Sequence, residues 1–118
     1  MGKLDVIQAN LLVDFYGSLL TDHQREVWHL YFAEDWSLSE IGQMLGVSRA
    51  AVADVVDRTA GVLAQYESKL GLIAGSEIRQ RKLMRLVHEI SRMAGDQQDV
   101  PALQLARELA VEEGLTDV

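Results

Sequence analysis

The chain has 118 residues, 48% hydrophobic and 25% charged, with a formal net charge of -7 at pH 7. These proportions exclude a disordered or collagen-like chain, and the length suits one domain or one domain with a short helical appendage. The absence of cysteine excludes disulfides and thiolate metal sites. With neither an apolar run of about 18 to 20 residues nor a secretory leader, we expect a cytoplasmic protein without a membrane partner.

The first predicted helix runs from about Lys3 to Gly17 or Ser18, where apolar residues recur at intervals of three and four. Two later helices are predicted from capping boxes, in which a hydroxyl is followed three residues on by a Gln or Glu. Thr21 with Gln24 begins the second helix, and Ser37 with Glu40 begins the third, which ends at Gly46. The apolar positions of the first helix are Leu4, Ile7, Leu11, Phe15 and Leu19.

A long fourth helix is predicted from its cap, Ser48, and from apolar positions spaced 4, 3, 4, 3 and 4. This heptad rhythm is typical of a helix that packs along another helix, either of the same chain or of a second subunit. We therefore expect a helix or dimer seam, and a homodimer. The spaced positions are Val52, Val56, Thr59, Leu63, Tyr66 and Leu70, of which Val56, Leu63, Tyr66 and Leu70 carry the seam prediction.

Two further helices are predicted in a C-terminal helical extension. Gly71 and Gly75 bracket a break, after which an amphipathic helix runs to Gly95. Pro101 suits the first turn of a last helix, with Asp99 as its cap. Because no segment alternates with a strand's period of two, the fold class is all-α, with a helix-turn-helix domain at 1–75 and an extension at 76–118. The last helix carries Leu103, Leu105, Leu109 and Val111.

Residues 37 to 58 have the parts of a helix-turn-helix: a short helix, a turn relieved by Gly46, and a second helix whose first side chains project outward. This core resembles region 4 of bacterial sigma factors over about 40 residues. The resemblance rests on Leu20-Thr21, Gln24-Arg25-Glu26-Val27, Ser37-Leu38, Glu40-Ile41 and Leu45-Gly46-Val47-Ser48-Arg49.

A longer resemblance is to the YlxM-like family of small helix-turn-helix proteins. It rests on the run Asp14-Phe15-Tyr16-Gly17-Ser18-Leu19-Leu20-Thr21 and on the run Tyr66-Glu67-Ser68-Lys69-Leu70-Gly71-Leu72. The resemblance implies an accessory or regulatory role in the signal recognition particle pathway, with that particle's RNA or GTPase as partner.

The outward side of the predicted recognition helix is one candidate nucleic-acid-binding surface. It has few of the long amides and guanidiniums that pair with base edges, and Arg49 is the best of them. Asp54 and Asp57 would oppose binding to phosphates. This surface either contacts DNA, serves a protein partner, or is simply solvated. The candidate residues are Ser48, Arg49, Ala50, Ala51, Asp54 and Arg58.

A second candidate surface is basic. Residues 73–95 carry five basic and two acidic side chains, whereas the chain as a whole is acidic. Arg81, Arg85, His88 and Arg92 are spaced 4, 3 and 4, which gathers positive charge on one helical face. The functional interpretation is contact with a phosphate backbone, RNA above all. Otherwise the stripe is solvated or pairs with the acidic segments of the chain.

The sequence indicates a protein that is not an enzyme and needs no cofactor. His23, His29 and His88 lack the close spacing of a helical zinc site, and no glycine-rich loop follows a strand. The leading hypothesis is a non-enzymatic accessory protein of the signal recognition particle pathway. The rival is a DNA-binding transcriptional regulator, and a third alternative is a structural dimerisation module that binds no nucleic acid.

Overall fold

The computed structural model describes residues 5–115, and within this range it contains six α-helices and no strand. The predicted all-α fold class is thereby confirmed. A 3₁₀ turn follows the first helix, and a π-helical segment, His29–Ala33, extends the second. Lys3 and Leu4, the predicted start of the first helix, lie outside the described residues. The helices are α1 (Val6–Tyr16), α2 (Asp22–Trp28), α3 (Leu38–Leu45), α4 (Arg49–Leu70), α5 (Leu72–Ala94) and α6 (Pro101–Glu112).

Both predicted capping boxes are present. At the start of α2 the Thr21 hydroxyl accepts a hydrogen bond from the Gln24 N–H, and the Gln24 side chain accepts one from the Thr21 N–H, each 3.1 Å long. Ser37 and Glu40 repeat the arrangement at α3, with distances of 3.1 and 3.0 Å. Each cap contributes about 1 kcal/mol because it satisfies backbone donors that have no partner inside the helix.

The described residues divide into two compact units, on either side of the peptide between Ile73 and Ala74. In the first unit α4 packs against α1, α2 and α3. This arrangement positions the helix-turn-helix, because α4 is both the recognition helix at its start and the core helix along its length. The buried core of the unit consists of Ala9, Leu12, Tyr16, Leu20, Val27, Trp28, Phe32, Ile41, Val52, Val56 and Leu63.

The heptad stripe of α4 is buried within the first unit itself. Val56 and Leu63 belong to the core, and Tyr66 packs against it. The Thr59 side chain is fully buried, and its hydroxyl has no hydrogen-bond partner among the described residues. Leu70, the last position of the predicted seam, is 55% exposed. The stripe therefore packs against helices of its own chain.

The second unit is a hairpin of α5 and α6. Val87 of α5 is buried with Leu103, Ala106 and Ala110 of α6. Leu103 of α6 is buried, whereas Leu105, Leu109 and Val111 are 59%, 43% and 57% exposed. The rest of the buried face consists of Ala106 and Ala110.

Two predicted helix boundaries also differ. The N-cap residue of α6 is Val100, not the predicted Asp99, and no side chain caps this helix. Gly75 lies inside α5 and does not bound a break. The chain turns at Gly71 alone, where φ is 62°, and α5 begins at the next residue.

The junction between α4 and α5 is held by a small hydrogen-bond network. The buried Tyr16 hydroxyl donates to Glu67 Oε1 and accepts from the Leu72 N–H at 3.1 Å. The same Glu67 oxygen accepts from the Ile73 N–H at 3.0 Å. Burial, followed by the hydrogen bond to Glu67, raises the pKa of the Tyr16 phenol. The first two amides of α5 are thus held by side chains of α1 and α4.

This network makes the stability of the protein sensitive to alkaline pH. The unfolded phenol begins to ionise near pH 10, whereas the folded Tyr16, with its raised pKa, keeps its proton. The unfolded state then binds fewer protons, so the free energy of unfolding falls as pH rises from about 10 through the folded pKa. Urea unfolding at a series of pH values should show this decline in the wild type and a shallower one in Tyr16→Phe. Identical slopes for the two proteins would contradict the assignment.

Candidate nucleic-acid interface

The turn of the helix-turn-helix is built on Gly46. Its φ of 72° is left-handed, a conformation that glycine adopts without strain. The N–H groups of Gly46 and Val47 both donate to the carbonyl of Gly42, the latter at 2.9 Å. This pairing ends α3 and directs the chain into Ser48, whose hydroxyl accepts from the Ala51 N–H at 3.0 Å and caps α4. The predicted start of the recognition helix is confirmed.

Gly42 has a structural role that sequence reasoning missed. It is buried, and a β-carbon placed on it would lie 2.7 Å from the Val47 carbonyl oxygen. The turn therefore passes so close to α3 that only glycine fits. The sequence signal is a glycine in the middle of a helix, which is unfavourable by about 1 kcal/mol relative to alanine and so indicates a packing reason.

The outward surface of the recognition helix holds most of the predicted contact residues, and it is close to electrically neutral. Arg49, Ala50 and Ala51 are exposed on its first turn. Further along, Arg58 Nε lies 2.9 Å from a carboxylate oxygen of Asp54, so each charge offsets the other. Arg49 is in no ion pair within residues 5–115. A surface of this kind attracts phosphates weakly, and Arg49 is its one unopposed cation.

The basic surface of α5 differs in this respect. Arg81 and Arg85 are exposed, and neither is in an ion pair within the described part of the chain. Arg92 is paired, with its guanidinium 2.6 Å from Glu89. The hydrogen bond from Arg92 and its positive charge lower the pKa of the Glu89 carboxyl. The same hydrogen bond and the negative charge of Glu89 raise the pKa of Arg92. Arg81 and Arg85 thus form no ion pair among the described residues, although the charge of Arg85 also contributes to lowering the pKa of the Glu89 carboxyl.

The predicted residues thus lie on two surfaces, one in each compact unit. Ser48 to Arg58 share the start of α4, and Arg81 to Arg92 share α5. Sequence reasoning missed the two carboxylate partnerships that weaken these surfaces. The sequence signal for both ion pairs is the spacing of their residues. Asp54 and Arg58 are four residues apart and Glu89 and Arg92 are three apart, and side chains at these separations meet on a helix.

Across residues 5–115, no three His, Asp or Glu side chains come together as a metal ion would require. None of the helices in that range combines the length and the apolar composition that crossing a membrane demands.

A turn of this geometry, followed by a capped helix with an exposed first turn, defines a helix-turn-helix protein. Comparison with known proteins gives the same class of protein over most of the chain. Residues 4–103 match the model of the UPF0122 family, described as "Putative helix-turn-helix protein, YlxM / p13 like". The chain belongs to this family, as the resemblance of its two sequence runs predicted.

Individual relatives support the same assignment. A UPF0122 protein of Geobacillus kaustophilus is 45% identical over 97 residues, which cover 82% of this chain and 88% of the relative. One of Thermoanaerobacter sp. is 37% identical over 108 residues, or 92% of each chain. One of Exiguobacterium sibiricum is 51% identical over 77 residues, 65% of this chain and 71% of the relative.

Proposed function

We propose that this protein is a non-enzymatic, cytoplasmic accessory protein of the signal recognition particle pathway, which binds the particle's RNA through the outward face of α5. The pathway comes from the resemblance to YlxM-like proteins. The surface comes from one observation: Arg81 and Arg85 are exposed cations that form no ion pair within the described residues. The resemblance also implies the GTPase of the pathway as a partner. We favour the RNA because exposed cations that form no ion pair attract its phosphates.

The chemistry of this surface suits a folded RNA. Duplex RNA is recognised largely by its shape and by contacts to phosphate and 2′-hydroxyl groups, because its deep, narrow major groove hides the base edges from side chains. Guanidiniums bind phosphate oxygens through a planar fork of donors. Two such groups, four residues apart on α5, lie about one helical turn apart and can contact neighbouring phosphates. Since the chain as a whole is acidic, the binding depends on this local patch.

The test is binding of the particle's RNA, measured by fluorescence anisotropy at low and near-physiological salt with unlabelled genomic duplex DNA as competitor. We expect the wild-type signal to survive the competitor. The double variant Arg81→Gln/Arg85→Gln should bind roughly tenfold or more weakly, and the slope of log affinity against log salt should fall by about 2, one unit for each lost phosphate contact. An unchanged slope would overturn the assignment to α5.

The matched control is Arg25→Gln, which removes a cation from the exposed end of α2. Arg25 lies 2.6 Å from Asp22, so it is already paired, and it belongs to neither candidate surface. Its variant should bind the RNA as the wild type does. Because Arg25→Gln removes one positive charge and the α5 variant removes two, a loss in log affinity about half that of the α5 variant would indicate an effect of net charge alone.

A second candidate function is DNA-binding transcriptional regulation. The observation in its favour is Arg49, exposed and unopposed on the first turn of the recognition helix, where such proteins contact base edges. If the genomic duplex displaces the RNA, and Arg49→Ala then costs about 1–3 kcal/mol of specific DNA binding, this function replaces the first.

A further inference from the structure

The hairpin of the second unit leaves large apolar side chains exposed. On α5, Leu86 and Met93 are 45% and 78% exposed; on α6, Leu105 and Leu109 are 59% and 43% exposed. Each pair is spaced so that its members follow one line along their helix, seven residues apart on α5 and four apart on α6. The line on α5 continues back through Lys82 to Arg79, and the line on α6 continues forward to Glu112 and Glu113.

An ion pair shows that the two lines border the same side of the hairpin. Arg79 Nε lies 2.9 Å from Glu113 Oε1, which joins the start of the α5 line to the end of the α6 line. The four exposed residues Leu86, Met93, Leu105 and Leu109 therefore form one surface, here called the apolar side. Arg81 and Arg85 follow a different line of α5, so a partner on the apolar side leaves them accessible.

We propose that the apolar side binds a second copy of this chain, so that two hairpins form an antiparallel four-helix bundle. Unlike the predicted seam, whose Val56 and Leu63 are buried in the first unit, this surface is open to a partner. A hairpin of about 40 residues buries little apolar surface of its own, and units of this size usually gain stability from association. A second hairpin supplies the missing layer.

The charges of the two helices select the occupant and its orientation. Residues 73–95 carry three more basic than acidic side chains, and residues 96–118 carry five more acidic than basic. A two-fold axis parallel to the helices sets each α5 over the partner's α6, so that opposite charges meet. Lys82 and Glu112, at the edges of the apolar side, then face each other across the interface twice. A two-fold axis perpendicular to the helices would instead place the acidic α6 of one chain against the acidic α6 of the other.

The inference is independent of the proposed function, and its test contains no nucleic acid. Sedimentation equilibrium of the full chain should show a dimer. Leu86→Asp/Leu109→Asp should be monomeric with an unchanged far-ultraviolet circular dichroism spectrum. The control Leu19→Asp alters a leucine that is 53% exposed in the first unit, and it should remain dimeric. A monomeric wild type, or a dimer that survives the double substitution, would overturn the proposal.

Charge exchange tests the orientation with variants that leave the hairpin core intact. Lys82→Glu and Glu112→Lys should each weaken the dimer by roughly tenfold, because each creates two like-charge contacts. An equimolar mixture of the two variants should recover the wild-type dimer, since both contacts then join opposite charges. A mixture no tighter than either variant alone would reject the arrangement of α5 over α6.

Discussion

Trp28→Ala is expected to lower the free energy of unfolding by about 3–5 kcal/mol, the range for truncating a large buried aromatic side chain. Trp28 is 1% exposed, and its ring centroid lies 4.4 Å from that of Phe32. Its indole N–H donates to the Ala9 carbonyl at 3.2 Å, which ties α2 to α1. Since small domains are stable by about 5–15 kcal/mol, this is a large share of the total. Urea unfolding followed by circular dichroism measures it.

Trp28→Phe is the companion variant. It keeps an aromatic ring in the core but removes the indole N–H and part of the buried ring volume. We expect a loss smaller than that of the alanine variant, and a protein that remains folded. A loss below about 1 kcal/mol for Trp28→Ala would contradict the central position of this residue.

Gly42→Ala is expected to destabilise the helix-turn-helix by about 1–3 kcal/mol, the usual cost of an extra group in a packed interior. The added β-carbon would lie 2.7 Å from the Val47 carbonyl oxygen and 3.5 Å from the Arg49 amide nitrogen. Both neighbours are backbone atoms, so relief requires the turn itself to move. Thermal unfolding of the variant beside the wild type provides the measurement.

Gly61→Ala is the matched control for the same chemical change. Gly61 is an exposed residue in the middle of α4, and a β-carbon there would meet nothing within 4 Å. Alanine should stabilise α4 by about 0.5–1 kcal/mol, because glycine loses more backbone entropy in a helix. The two substitutions are therefore expected to have opposite signs. A Gly42→Ala protein as stable as Gly61→Ala would refute the close approach of turn and helix.

The sequence predicts the helix starts and the turn of the first unit because these signals are local. It does not predict the buried face of α1, since Ile7 and Leu19 are 70% and 53% exposed, whereas Ala9, Leu12 and Tyr16 are buried. Thr21, Ser37 and Ser48 cap the helices that they were expected to cap, and Gly46 ends α3. The π-helical segment after Trp28 was not predicted, since a shift of the hydrogen bonds from four to five residues leaves no mark on residue type. Which helix covers the α4 stripe also depends on tertiary packing.

The second unit was harder to predict because hydrophobicity and burial disagree there. In α6 the leucines outrank the alanines on any transfer scale, yet Ala106 and Ala110 are buried while Leu105 and Leu109 are exposed. Helix spacing allows either face to point inward, and which face is buried depends on tertiary packing against α5. For the candidate site, the sequence located the exposed cations and Asp54, but not the ion pairs that Asp54 and Glu89 form with them. Pairing at Arg58 and Arg92 depends on rotamers as well as on spacing.

The network at the end of α4 has a consequence for how the molecule opens. Tyr16 belongs to α1 and Glu67 to α4, and their two oxygens hold the amides of Leu72 and Ile73. These amides begin a helix, where exchange with solvent hydrogen is ordinarily fast because the first turn lacks internal acceptors. Here the Leu72 amide is held by a buried tyrosine of α1 and the Ile73 amide by a glutamate of α4. Their protection is therefore expected to report the opening of the first unit and not the fraying of α5.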